Sequence, residues 1–237
     1  MAVTDRAIER IQELIRSGAL PPGSRLAPEN ELAAQLGVGR SSIREAVKAL
    51  ELIRVLDVRH GDGTYVTSLE PHLLLEGVGF AIDLIQGDAI LEVVEIRRLF
   101  EPIATGLAAE RIDDDSLARL GEYVAAMEQA GDDQERLVHS DHAFHSTVFE
   151  ATGNRTLTSI LDGLSSRTFR ARVWRGVIEG AASEQTIREH RAIHQALAAH
   201  DRQLAEAAAL MHVTTSERWL RGVLARTQGA DAPPASP

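Results

Sequence analysis

Three histidines and a carboxylate stand close together in the stretch HSDHAFH: His139, Asp141, His142 and His145. Carboxylate oxygens and neutral imidazole nitrogens are the donors that hold divalent metals such as zinc, nickel or manganese. Asp141 and His145 are separated by four residues and share one face of a helix, a spacing by which one helix supplies two bonds to an ion. His139, His142 and His145 form a second row, at i, i+3 and i+6. Both groupings are open on spacing alone, and a histidine-rich helix face is more often solvated than ligated. Further along stand His190, His194 and His200 in REHRAIHQALAAHD, and His212 in the apolar setting ALMHV, where a histidine more often fills a polar gap in the core. Facing helices of a bundle can bring such residues into one interior site. The chain has no cysteine, so disulfides and thiolate ligands are excluded and any metal must sit on nitrogen and oxygen.

The 237 residues, 44% hydrophobic and 25% charged, have the composition of an ordinary globular protein. No apolar run is long enough for a membrane helix, and the start MAVTDRAIER lacks the apolar region of a secretory signal, so a cytoplasmic location is expected. The charge is unevenly spread. Residues 1–67 hold nine Lys/Arg against nine Asp/Glu, and the remainder, with 16 basic and 26 acidic residues, carries the entire net charge of −10. An acidic second part repels nucleic acid, so a DNA contact is expected from local arginines in the first part.

That first part reads as three helices and a hairpin. Apolar residues at Ile8, Ile11, Leu14 and Ile15 have helical spacing, with Thr4 as N-cap and Gly18 as stop. A second helix reads from Pro28 to Leu36 and ends at Gly37. A third runs from about Arg40 to Ile53 with the inward stripe Ile43, Ala46, Val47 and Leu50. VLDVRHGDGTYVT then reads as two strands around His60-Gly61-Asp62-Gly63. This order is the outline of a winged helix-turn-helix over residues 1–68. SLEP (68–71) is the expected linker. Residues 72–227 carry only helical signals, with seven helices near 72–86, 89–112, from DDDS to 130, 132–152, 155–179, 183–199 and 201–227. Pro102 predicts a kink or break in the second of these. The fold class is therefore mostly α: a winged helix-turn-helix followed by an all-α bundle, with residues 228–237 as a disordered tail.

A recognition helix enters the major groove by its N-terminal residues. Arg40, Ser41, Ser42 and Arg44 open the third helix, where arginine can contact guanine in two bonds and serine can reach phosphate or base. His60 and Gly61, at the hairpin tip, leave room for close approach to DNA.

LPPGSRLAPENELAAQLGVGRSSIREAVKAL, with VRHGDGTYV after it, resembles the DNA-binding domain of the GntR family of bacterial transcription regulators. The resemblance implies DNA contacts by Arg40, Ser41, Ser42, Arg44, His60 and Gly61. Three positions depart from the family pattern: Asn30 replaces an arginine, Gly39 a Ser or Thr cap, and Arg54 a glycine that ends the recognition helix. Past the linker, EIRRLFEPIATGLAAERI, DHAFHSTVFEATGN, EHRAIHQAL and ALMHV are similar to the FCD effector-binding domain of the FadR-like branch. Many such domains hold a divalent metal with one Asp and three His. The resemblance carries that role to Asp141, His145, His190 and His212. It leaves His139, His142, His194 and His200 outside, with His194 open to a role behind a ligand or as an alternative ligand. Zinc is the first expectation, with nickel or manganese chemically acceptable.

Arg97 matches a family arginine near the pocket. It could clamp an effector carboxylate or form an ordinary i, i+4 ion pair with Glu101. The combined expectation is a homodimeric regulator, read as a repressor and not an enzyme. It would bind a palindromic double-stranded operator under control of a small organic acid or sugar acid. The rival readings are a metal-dependent hydrolase, against which the absence of HExxH counts, and a pure metal sensor.

Overall fold

A computed structural model describes residues 3–85, 89–165 and 183–230. The chain divides into two compact units, Met1–Gly77 and Val78–Pro237.

In the first unit, α1 (Val3–Arg16), α2 (Glu29–Leu36) and α3 (Arg40–Leu52) precede an antiparallel hairpin of β1 (Leu56–Arg59) and β2 (Gly63–Val66). The hairpin pairs Leu56 with Val66 and Arg59 with Gly63. Ile43, Ala46, Val47 and Leu50 of α3 are buried with Ile11, Leu32, Leu36, Leu56 and Val66, so the helical stripe read from sequence is the core of this unit. Gly37 ends α2 at φ +61°, a left-handed conformation that its missing Cβ makes easy to adopt. Thr4 is not a cap: α1 already runs through it from Val3. A polar residue inside a first turn and one just before it read alike in sequence.

The second unit comes after the short α4 (Pro71–Leu74). Its helices among the described residues are α5 (Glu76–Leu84), α6 (Ala89–Ala109), α7 (Asp114–Ala130), α8 (Gln134–Ala151), α9 (Arg155–Leu164), α10 (Ser183–Ala198) and α11 (Arg202–Ala230). Side-chain oxygens cap three of them: Asp113 accepts from Ser116 N, Asp133 from Arg136 N, and Asn154 from Leu157 N. The core joins Val94, Ala104 and Ala108 of α6 to Leu120 and Met127 of α7, Phe144 and Phe149 of α8, Leu161 of α9, Ile193 and Leu197 of α10, and Val213 of α11.

The structure differs from the sequence reading at three places. Of the two outcomes expected at Pro102, a kink or a break, the break does not occur: α6 continues as helix on both sides of it. An internal proline costs about 3 kcal/mol. Here it is buried in a helix whose inward face is packed from Ile90 to Ala109, and that burial holds the helix together. The helix expected over 155–179 stops at Leu164, and residues 166–179 lie outside the described residues. Of the expected tail 228–237, residues 228–230 belong instead to α11, and 231–237 lie outside the described residues. Among the described residues no helix is long and apolar enough to cross a membrane.

Arg54 sits at φ +59° just beyond α3. For a residue with a Cβ this region costs about 1–2 kcal/mol, part of which glycine gives back through its freer unfolded chain. Arg54→Gly is therefore expected to raise the stability of the first unit by about 0.5–1 kcal/mol, read as a higher melting temperature.

Candidate metal centre and nucleic-acid interface

α8, α10 and α11 position the buried polar group of the second unit. Asp141 and His145 project from successive turns of α8, His190 from α10 and His212 from α11. All four are buried, and one ligand atom from each lies within 4.8 Å of all the others. The His190 Nε2 atom is 2.9 Å from Asp141 Oδ1 and 3.2 Å from His145 Nε2, while His145 Nε2 is 3.8 Å from Asp141 Oδ1. Phe144 sets its ring edge-on to both His145 and His190, with centroids 5.5 and 5.1 Å away, and closes one side with an apolar wall.

The hydrogen bonds behind the imidazoles decide their tautomers. His190 Nδ1 lies 2.8 Å from the Thr186 carbonyl, which can only accept, so this nitrogen donates, and in the neutral imidazole Nε2 is the atom left to accept. His212 Nδ1 donates to Glu189 Oε2 at 3.3 Å, and Gln185 Nε2 donates to Glu189 Oε1 at 2.9 Å. Carboxylate or carbonyl behind imidazole is the arrangement that orients and strengthens metal-binding histidines. Burial, and after it the neighbouring charge of His190, pushes the His212 imidazole below its ordinary value and favours the neutral ligand form. Burial raises the Glu189 carboxyl, but the hydrogen bonds from His212 and Gln185 outweigh it and leave the group below the usual range. With His190 Nδ1 protonated, Nε2 confronts a carboxylate oxygen and a second imidazole nitrogen at contact distance. Three acceptor atoms so placed repel unless a proton or a cation lies among them, and the donor set is one that a divalent cation fits.

Of the other histidines, none joins this group among the described residues. His139 is exposed and His142 half-buried. His194 Nε2 faces the Leu117 carbonyl at 3.1 Å, bracing α10 against α7. His200 Nδ1 faces the Ala109 carbonyl at 2.9 Å. Glu189 is the residue that sequence reasoning missed. Its signal was its place beside His190, but an acid in a helix is common, and only the meeting of α10 with α11 gives it a histidine to hold.

Arg97 makes the ion pair with Glu101: Nε is 2.5 Å from Oε1 and Nη2 is 3.4 Å from Oε2. Both side chains are buried, so the small value of an exposed i, i+4 pair does not apply. Ser165 Oγ donates to the same Glu101 Oε1 at 3.0 Å.

On the first unit, Arg40, Ser41, Arg44, His60 and Gly61 are exposed, and Ser42 is half-buried. Gly39 caps α3 through its backbone alone, with no side-chain bond. Arg44 donates to both oxygens of Glu29 on α2, at 3.0 and 3.4 Å, and its guanidinium holds the Glu29 carboxyl below the usual carboxylate range. Asn30, beside Glu29, is exposed. In the hairpin, Arg25 donates to the Asp62 carbonyl, and a Cβ on Gly63 would lie 2.5 Å from Arg25 Nε, so a side chain there would displace this arginine.

A winged helix-turn-helix with an arginine-bearing recognition helix, followed by a helical unit with a buried Asp/His group, is the architecture of a DNA-binding transcription regulator. The family comparison gives the particular class. Residues 3–66 match the model "Bacterial regulatory proteins, gntR family" and residues 92–215 match the FCD domain. This chain belongs to the GntR family and carries an FCD domain.

It is 31% identical over 215 residues to the HTH-type transcriptional regulator LutR of Bacillus subtilis (strain 168), covering 88% of this chain and 97% of that protein. It is 28% identical over 225 residues to the galactonate operon transcriptional repressor of Escherichia coli (strain K12), covering 93% and 97%. Among solved structures, a GntR protein of Streptococcus agalactiae superposes with a TM-score of 0.64 at 31% identity, covering 91% of this chain and 99% of that one.

Two kinds of substitution test the candidate ligands and their supports. His190→Ala and His212→Ala are each expected to abolish stoichiometric divalent metal after dialysis, as measured by elemental analysis. Glu189→Gln keeps all four candidate ligands and is expected to weaken metal affinity by about 10- to 100-fold, measured by chelator competition.

Proposed function

We propose that this regulator represses transcription as a homodimer on a palindromic double-stranded operator, under control of a small organic acid or sugar acid bound at a divalent metal. The observation that carries the reading is the convergence of Asp141, His145, His190 and His212 on one buried point. Zinc is the proposed ion, with nickel or manganese as alternatives of the same donor preference. The ion would supply a Lewis-acidic position for an oxygen of the effector. Asp141 offsets its charge, Thr186 and Glu189 keep the imidazole lone pairs aimed inward, and Phe144 closes one side with an apolar wall. Arg97 is the cation assigned to the effector's carboxylate, which must compete with Glu101 for it. A relative named for the galactonate operon is consistent with a sugar acid.

Arg40, Ser41, Ser42 and Arg44 are assigned to the major groove and His60-Gly61 to the wing contact. Two copies are needed because the two-fold symmetry of a palindrome is matched by a two-fold protein. The effector acts by favouring one placement of the two DNA-binding units over another, and can shift that balance only by its differential affinity for them. A pure metal sensor, the other reading, would respond to the ion without any acid.

The experiment is a titration of operator affinity, using the DNA upstream of the protein's own gene, first with metal and then with metal plus candidate acids. A response only to the pair supports the proposal; a full response to metal alone makes the protein a metal sensor. Operator binding is expected to weaken by at least about 100-fold between about 50 and 200 mM salt, and absence of salt-sensitive binding refutes the DNA reading. Arg40→Ala is expected to cost about 1–3 kcal/mol of specific binding while non-specific binding changes less.

A further inference from the structure

One acid stands among the cations of α3. Arg40, Arg44 and Lys48 follow one another at i, i+4 and i+8, so they share one face of that helix. Glu29 reaches them from the first turn of α2. Its Oε2 accepts from Arg44 Nη2 at 3.0 Å and its Oε1 from Arg44 Nε at 3.4 Å. The hydrogen bond from Arg44, opposed by slight burial, and then the charges of Arg44, Arg40 and Lys48 hold the Glu29 carboxyl below its ordinary range, so it is ionised at neutral pH.

Neither the fold nor the helix dipole accounts for this acid. Arg44 and Glu29 are 56% and 37% exposed, and an exposed ion pair adds little to stability. A negative charge in the first turn suits the dipole of α2, but Glu31 supplies one in the same turn. On a surface that approaches phosphates, a carboxylate is itself unfavourable.

The geometry shows what the acid does for Arg44. A guanidinium is planar and carries its five N–H donors along its edges. Glu29 takes the edge formed by Nε and Nη2. The edge formed by Nη1 and Nη2 remains, and a two-bond contact with guanine O6 and N7 needs one such edge. The pair as a whole carries no net charge. Phosphate attracts an arginine through its charge and does so at every base sequence, whereas guanine is neutral and is read by the fork of donors. Pairing with Glu29 therefore weakens the first kind of contact and leaves the second. It also keeps a long side chain in one pose, on a helix whose start Gly39 caps through its backbone alone.

We propose that Glu29 is a specificity-determining residue of the DNA-binding unit: it withdraws Arg44 from phosphate binding and sets the remaining edge of that arginine for a guanine. The inference rests on the assignment of Arg44 to the major groove and adds the residue that decides how Arg44 reads. Glu29 acts through Arg44, as a positioning residue.

The test uses the full chain, the duplex upstream of its own gene, and the same duplex with its base order scrambled. Glu29→Gln keeps the shape and one acceptor oxygen but removes the charge. Binding to the scrambled duplex is expected to tighten, and the slope of log affinity against log salt to steepen by about 1 per subunit, because Arg44 becomes one more phosphate contact. The ratio of upstream to scrambled affinity is expected to fall by at least about 5-fold. Arg44→Ala alone is expected to lower upstream affinity by about 5- to 150-fold with the scrambled slope unchanged. In the Glu29→Gln background the same substitution is expected to remove the added slope, a dependence that a merely structural Glu29 would not produce. A Glu29→Gln protein, folded by circular dichroism, with the wild-type slope and ratio overturns the role of Glu29 and leaves the DNA reading standing. So does a scrambled-duplex slope that falls by about 1 per subunit in Arg44→Ala alone, since Arg44 would then already be bound to phosphate. Unchanged upstream affinity in Arg44→Ala overturns the assignment of Arg44 to the major groove and this inference with it.

Discussion

The approach of the His190 imidazole to the Asp141 carboxylate, beside an aromatic wall, is the contact on which the second unit is organised. A carboxylate and three imidazoles withdrawn from water cost several kcal/mol unless each finds a partner. Each demand is met by a different helix. α8 supplies Asp141 and His145 from adjacent turns, α10 supplies His190 and the Thr186 carbonyl behind it, and α11 supplies His212 for Glu189 to hold. The registers of three helices are thus tied to one point. A slip of one residue in any of them would turn one of these side chains away and leave a buried polar group unpaired. The same tie makes the point a natural place for a bound molecule to act on the fold, since whatever alters the distances among these atoms alters how three helices pack.

The first unit is built differently. Its core is a short apolar stripe closed by a hairpin, and its polar residues are left outside. Even so, Arg44 does not hang free. Its two bonds to Glu29 hold the guanidinium across α2 and α3, and a target must draw it away from a carboxylate or accept it in that pose. Arg54 adopts a left-handed conformation with a side chain in place of the family's glycine, so the end of the recognition helix is set by the strand beyond it. The chain must turn there for β1 to reach the core, and the residue conforms at a cost.

Local pattern carried the elements well. The stripe Ile43, Ala46, Val47, Leu50, the glycine stop after α2 and the hairpin around Gly61 are all matters of neighbouring residues, and all are present. Where expectation and structure part, a distant interaction has overruled a local preference or the local signal was ambiguous. Pro102 does not end its helix, the break being one of two outcomes its sequence allowed, because that helix is packed along its length, and Thr4 lies within α1 because nothing local separates a cap from a first turn. The histidines show both sides. Helical spacing made Asp141 and His145 a possible pair but left the row of His139, His142 and His145 equally possible, and only the family resemblance brought in His190 and His212.

From its sequence alone this protein has a determined order of helices and strands, a segregation of acidic charge into its second part, and a restriction to nitrogen and oxygen ligands by the lack of cysteine. These come from composition and from contacts a few residues apart. Which histidines share a point in space, that Glu189 stands behind His212, and that His194 braces α7 instead were decided only by tertiary structure. The physical reason is the same in each case. Helical periodicity states which residues share a face, but which face meets which is set by packing among segments tens of residues apart, and the partners of a buried polar group come from there.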